Sequence, residues 1–240
     1  MNAGMTFRGG IIAAGHGERL RSGGWMGSKA MLPVAGLPLI DHALDRFATN
    51  GLEQVSVLIN ESSVDCRNHI AARRPPPSIH LIIRTTPSSF ASFALLAGWL
   101  AGARAVITTV DALMPAAEFA RFLVAAAQLP PDAIGLGLTR HVDDEAPLWA
   151  EMDPADGRIR RLGGAPAAHV TAGLYALPAQ MPALAGEEFP RLRDYLARLV
   201  DEGHKVYGID LHQVLDVDRP HDLVQAERAV SSWSVLGGDL

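Results

Sequence analysis

The sequence predicts an α/β fold, a mostly parallel sheet with helices on both faces. Three observations carry that expectation. Short apolar runs recur through the first half, at residues 9–14, 54–59, 79–83 and 105–110. The stretch at 39–50 has apolar residues at 39, 40, 43, 44 and 47, one face of a helix. The run at 9–14 lacks polar alternation, as does a strand covered on both sides. Strands separated by helical stretches of ten or more residues make βαβ units and a parallel sheet.

Each element has its own signal. Residues 9–14 (GGIIAA) form a strand ended by Gly15. Residues 39–50 form a helix, with Gly51 as its stop. Residues 54–59 (QVSVLI) are β-rich, 73–77 (RRPPP) make a turn or short linker, and 79–83 form a strand. A helix fits 90–102, a strand 105–110 ending at Asp111, an alanine-rich helix 116–128 and a strand 134–138. Residues 148–162 form a hairpin around Asp153–Gly157, and 169–177 a strand with an embedded glycine. An amphipathic helix is expected over 189–203, short strands at 205–209 and 214–217, and a last helix from Pro220 through Ala229. Residues 231–240 are expected to fray.

Bulk properties exclude several classes. At 240 residues, 48% hydrophobic and 20% charged, the chain can bury a large core and is expected to be one domain. A net charge of −5 argues against nucleic-acid partners. A single cysteine, Cys66, excludes an internal disulfide framework and fits a reducing compartment. No stretch has the ~20 consecutive apolar residues of a membrane span, and no secretory leader is recognisable, so a cytoplasmic location is expected.

The chemistry concentrates at 10–38. Gly15 and Gly17 would let backbone N–H groups approach phosphate oxygens, and Arg19 would fork two of them. Lys29 adds a mobile charge, and the only other lysine is Lys205. The loop is neither a Walker A sequence nor a dinucleotide fingerprint. Taken alone, it reads equally as a tight strand-to-helix turn with surface cations. Asp111 follows a buried strand, a position suited to a metal ligand or to a helix cap. Asp216 and Asp218, at i and i+2, point to one face, as a metal site or as a turn before the Pro220 helix. Two carboxylates from distant parts of the chain are what Mg2+ requires beside a phosphate. In parallel sheets ligands bind at the carboxyl ends of strands, where the glycine loop and Asp111 both fall.

IIAAGHGERL…SKAMLPVAGLPLIDHAL resembles the signature of the sugar-phosphate nucleotidyltransferases. AVITTVDALMP is similar to that family's strand ending in a metal aspartate, and LDVDRPHDL to its closing box. The resemblance implies a three-layer, Rossmann-like, mostly parallel sheet with a small antiparallel extension on the substrate side. A nucleotide-binding half (about 1–140) and an acceptor half (about 141–230) are expected within the single domain 1–240. It implies transfer of a nucleoside monophosphate from an NTP to a sugar 1-phosphate, with release of pyrophosphate. Arg19 and Lys29 would be catalytic. Ala13, Ala14, Gly15, Gly17, Arg19, Ser88 and Ser89 would bind the nucleotide. Asp111 and Asp216 would hold Mg2+, and Thr171 and Gly173 would line the sugar pocket.

The sequence also departs from the pattern. Ser28 stands where the family has proline. Gly164-Ala165-Pro166 replaces its E-K-P segment, which contacts the sugar phosphate. A different phosphorylated acceptor, such as phosphocholine or the molybdenum cofactor, is one alternative. A nucleotide- or sugar-binding regulatory protein with reduced catalysis is another.

Overall fold

The computed structural model describes residues 7–74, 76–142, 146–182 and 189–236. The first βαβ units match the sequence pattern closely. Strand β1 (Arg8–Ala13) enters the glycine loop, a short helix α1 (Glu18–Ser22) and a 3-10 turn at Lys29–Met31. A two-residue ribbon, β2 (Pro33–Val34) with β3 (Leu37–Pro38), leads into α2 (Leu39–Thr49). The five apolar positions expected on the buried face of α2 are fully buried. There follow β4 (Gln54–Ile59), α3 (Val64–Ala72), β5 (Ser78–Ile83), α4 (Ser89–Leu100) and β6 (Ala105–Thr109). A two-residue strand, β7 (Ala112–Leu113), precedes α5 (Ala116–Gln128) and β8 (Ile134–Thr139).

The second half is antiparallel in large part. Strands β9 (Trp149–Met152) and β10 (Ile159–Leu162) form the expected hairpin, and β11 (His169–Leu177) follows. Helix α6 (Leu192–Asp201), strands β12 (Val206–Leu211) and β13 (Leu215–Asp216), and helix α7 (Pro220–Leu236) complete the order.

The main sheet runs β10-β9-β11-β6-β1-β4-β5, with β8 also on β11 and β12 on β8. Strands β6, β1, β4 and β5 are mutually parallel, so their carboxyl ends share one edge. Strand β11 is antiparallel to β6 and β8, and it joins the two halves. One buried cluster packs residues of α2, α5 and α7 on one face of the sheet. The other packs residues of α4 and α6 on the opposite face. The result is the expected three-layer α/β arrangement with an antiparallel extension.

The larger differences from the sequence reading are these. Helix α3 was not anticipated, because only Cys66 and Ile70 among its residues are buried and no apolar stripe shows. The helix expected from Phe189 starts at Leu192. The strand expected over 214–217 shrinks to Leu215–Asp216. The last helix runs to Leu236 rather than Ala229, because Val230 and Trp233 pack on the core and hold it past the serines. Residues 237–240 of the expected frayed end lie outside the described residues, as does Pro75 of the expected turn.

Candidate active site

The glycine loop leaves the carboxyl end of β1 and turns at Gly17, whose φ of 63° is left-handed. A Cβ on Gly17 would lie 3.1 Å from Cβ of Lys29, so glycine here lets the lysine segment pass close behind the loop. Gly17 caps α1 and turns the chain so that Arg19 faces the sheet edge. Lys29 opens the 3-10 turn, and its side chain is only 8% exposed.

Three carboxylates converge on these cations. Asp111 follows β6, and its Oδ2 accepts from Lys29 Nζ at 2.5 Å. Asp218 Oδ1 accepts from the same Nζ at 2.7 Å, and its Oδ2 pairs with the Arg19 guanidinium. Asp216 comes alongside through β13, which pairs antiparallel with β7 so that Asp216 faces Ala112. The N–H of Val217 donates to the Asp111 carbonyl at 3.1 Å, locking the two segments. The backbone after Asp216 is held by Asp222, whose carboxylate accepts from the N–H groups of Asp218 and Arg219 at 2.9 and 2.7 Å.

The charge state follows from this packing. Burial alone would discharge Lys29, but the pull of Asp111, Asp216 and Asp218 and the bond to Asp111 outweigh it. Its ammonium is therefore held above the ordinary lysine value. Burial works against ionised Asp218, and Lys29 and Arg19 overcome it, so its carboxyl sits below the ordinary range. Tyr175 moves up through burial first and the two aspartates second, so it stays a neutral phenol.

A cavity of about 250 Å3 opens over this cluster. Arg19, Asp111, Thr171, Gly173, Asp216 and Asp218 line it, so six of the residues singled out in the sequence meet at one cavity. Gly173 has φ of 67° and sits where the β8–β11 register shifts. Its missing side chain gives Thr109 and Ala112 room beside Asp111.

A second polar cavity, about 240 Å3, lies behind the loop, lined by Gly15, His16, Arg21, Ser28, Asn60 and Ser63 among others. Ala13 ends β1, and Ala14 follows it with a carbonyl 3.5 Å from Asn60 Nδ2. Ser88 caps α4 by accepting from the Ala91 N–H, and Ser89 Oγ accepts from the Leu192 N–H. Both serines tie α4 to α6 and line neither polar cavity.

Sequence reasoning passed over Asn60, Tyr175, Arg193 and Arg219. Asn60 had a legible signal: it is a polar residue directly after a buried strand. Arg193 and Arg219 come from α6 and the start of α7, and only the fold brings them to the cavity of Asp111.

Asp111, just before β7, and Asp216, on its partner strand β13, are hard oxygen donors lining one cavity. Among the described residues no group of three or more His, Cys, Asp or Glu side chains is set to hold a metal alone. A pair of carboxylates with the remaining positions open to phosphate oxygens and water fits Mg2+ rather than a caged transition metal. Among the described residues no helix is long and apolar enough to cross a membrane.

Comparison with known proteins bears on the family and the fold. Residues 9–199 match the family described as the MobA-like NTP transferase domain. No curated protein matches the sequence. Among solved structures, the inositol-1-phosphate CTP transferase from T. maritima superposes with a TM-score of 0.77 at 18% identity, over 96% of this chain and 97% of that one. A protein assigned as a glucose-1-phosphate thymidylyltransferase from Bacillus anthracis, in complex with a sucrose, superposes with a TM-score of 0.77 at 16% identity, over 98% and 96%. At these identities the two likenesses establish the fold.

Proposed function

The chain belongs to the family of MobA-like NTP transferase domains, and from that premise we propose that it transfers a nucleoside monophosphate from an NTP to a sugar 1-phosphate. Pyrophosphate leaves and an NDP-sugar forms. The observation that carries the reading is the convergence of Arg19, Asp111 and Asp216 at one cavity on the sheet's carboxyl edge, with the buried Lys29 bonded to Asp111 beneath it.

In this reading an acceptor phosphate oxygen attacks the α-phosphorus in line, and the bond to the bridging oxygen of pyrophosphate breaks. The protein supplies no covalent nucleophile. Its contribution is position and charge. Backbone N–H groups of the Gly15–Gly17 loop face the phosphates. Arg19 and Lys29 offset charge that builds on the leaving pyrophosphate. Asp111 and Asp216 would hold Mg2+, which when bound would neutralise phosphate oxygens and orient them. The polar cavity at Gly15 and Asn60 would take the nucleoside, with Ala13 and Ala14 at the strand end that leads to it.

Thr171, Gly173 and Tyr175 would line the acceptor side. Arg193 and Arg219 reach the same cavity and would supply the cationic contacts that Gly164-Ala165-Pro166 lacks. That exchange of cations favours a second reading, the same chemistry on another phosphorylated acceptor, phosphocholine or a molybdenum-cofactor-like compound. Small molecules are the partners in either case, and the enzyme would work in the cytoplasm.

The test is pyrophosphate release with Mg2+, crossing four NTPs with a panel of sugar 1-phosphates, phosphocholine and inositol 1-phosphate. Asp111→Ala is the control. Release with one sugar 1-phosphate, lost in the variant, is expected. Release only with a non-sugar acceptor would move the assignment to the second reading, and silence across the panel would sink both.

A further inference from the structure

We propose that Asp65 is a positioning residue: its carboxylate grips the Ser28 backbone and thereby sets where the neighbouring Lys29 ammonium stands. The inference rests on the reading of Lys29 as a phosphate-binding cation. Asp65 Oδ2 accepts from the Ser28 N–H at 2.8 Å, and its Oδ1 accepts from the Cys66 N–H at 2.8 Å. Both oxygens are engaged, which fixes the carboxylate's orientation and ties α3 to the lysine segment. Burial works against the ionised form, and the N–H groups of Ser28 and Cys66 outweigh it, so the carboxyl sits below its ordinary value.

The segment before Lys29 is shaped to receive this carboxylate. Gly27 leaves room for it, since a Cβ there would lie 3.2 Å from Asp65 Oδ2 and 2.9 Å from the Trp25 ring. Trp25 Nε1 donates to the Ser28 carbonyl at 3.0 Å, and the Met31 N–H donates to the same oxygen at 3.0 Å. The Ser28 backbone is therefore held at its N–H and at its carbonyl, one residue before the lysine. Helix α3 is a firm anchor for the grip. Its Cys66 and Ile70 are buried in the core, and its His69 and Arg73 each bond Asp41 of α2 at 2.8 Å.

Asp65 is exposed, so it fills no space in the core. It also lines the polar cavity at Gly15 and Asn60, which makes direct contact with a substrate the rival role. The backbone of Ser28 offers a way to tell the two apart. Its φ is −66°, the angle that a proline ring fixes, but proline has no N–H to give. A ring at position 28 would restrain the same backbone without the carboxylate. Its Cδ would also meet Asp65 Oδ2 where the N–H now points. Carboxylate and ring are therefore alternatives that restrain the segment singly and collide together. A proline can replace a restraint, but it cannot replace a carboxylate contact to a ligand.

The experiment compares the full chain with Asp65→Ala, Ser28→Pro and the double variant Ser28→Pro/Asp65→Ala. The first readout needs no substrate. It is the rate at which sulfo-N-hydroxysuccinimidyl acetate acetylates Lys29, with Lys205, the only other lysine, as internal standard. Asp65→Ala is expected to raise the Lys29 rate about tenfold relative to Lys205, the weight of one charge-assisted hydrogen bond. Ser28→Pro alone is expected to do the same, and the double variant to return most of the way to wild type. An unchanged rate in Asp65→Ala, or a double variant as reactive as either single one, would overturn the proposal. The second readout is pyrophosphate release with Mg2+ and the NTP and acceptor that turn over. There Asp65→Ala is expected to lose about tenfold in kcat with KM for the NTP little changed, and the double variant to recover. A raised KM that the proline does not restore would make Asp65 a substrate contact and overturn the positioning role. No release by wild type, with the Lys29 rates as expected, would remove the transferase reading and leave the grip of Asp65 standing. Should the variants fail to fold, hydrogen exchange on wild type decides: a protected Ser28 amide supports the grip, and exchange at the free-peptide rate overturns it.

Discussion

Lys29 Nζ lies 2.5 Å from Asp111 Oδ2, so the cation after the glycine loop and the carboxylate after β6 are bonded before any substrate arrives. The bond ties the segment that follows the β1 loop to the turn that follows β6, the strand beside β1. It fixes the ammonium at the point where α-phosphate chemistry would take place. Lys29→Met keeps most of the apolar stem and removes the charge. Loss of one preorganised charge contact costs about 100- to 1,000-fold in turnover in comparable sites. Turnover by Lys29→Met is expected to fall in that range while far-UV circular dichroism stays that of wild type. A rate within a few-fold of wild type would remove Lys29 from the chemistry.

The same cluster sets a pH dependence. Lys29 is held above its ordinary value of 10.5, so the stability it contributes is complete below that pH. That stability is lost as pH rises through the higher folded-state value. Asp218 is held below its ordinary 3.8, so its contribution is present above that pH and disappears as pH falls through the lower folded-state value. The contribution of this cluster to thermal stability is expected to be flat between about pH 5 and pH 10, with losses outside both limits. Melting curves of Lys29→Met should lack the cluster's part of the alkaline loss. An unchanged alkaline limb would assign that limb to other groups.

Gly173 of β11 packs against Thr109 at the end of β6. A Cβ there would stand 2.4 Å from Thr109 Oγ1 and 3.1 Å from Ala112 Cβ, on a backbone with φ of 67°. Gly173→Ala must strain the backbone and displace Thr109. A cost of at least about 3 kcal/mol is expected, a fall in Tm of roughly 6–12 °C for a domain of this size. Adding Thr109→Ala should recover part of the loss, because it removes the nearest atom and leaves the φ strain. A double variant no more stable than Gly173→Ala would show that backbone strain alone carries the cost.

How much of this was legible in the sequence depended on what each feature rests on. Helix α2 shows its five buried positions as an apolar stripe, and β11 shows its nine residues and embedded glycine, since both are local patterns. Helix α3 has no stripe because its outer face and most of its ends meet solvent. The candidate site divides in the same way. Asp111 and the glycine loop are marked by their place after strands, a local signal. The pairing of Asp218 rather than Asp216 with Lys29 depends on the β7–β13 register, which joins residues a hundred positions apart. Arg193 and Arg219 belong to the cavity only through helix placement, so their residue types alone said nothing.

Arg46 extends the argument from the cluster to its support. It is a fully buried residue of α2, and its Nη2 donates to the Ala112 carbonyl at 2.8 Å. Burial pulls its guanidinium down to about 10, so it remains charged at neutral pH, at a desolvation cost. Its Nε has no hydrogen-bond partner, so stability alone is a poor account of this arginine. What the bond does is fix Ala112, the residue that follows Asp111 and pairs with Asp216. Arg46→Met replaces a costly charge with an apolar side chain of similar length, a change that is often close to neutral for folding. Tm is therefore expected to move by only a few degrees. Turnover is expected to fall by about tenfold or more as the two aspartates lose their fixed spacing, with KM for the NTP little changed. Arg46→Lys, which can still reach a carbonyl, should recover part of kcat. A loss of Tm and kcat together, with no recovery by lysine, would make Arg46 a packing residue and nothing more.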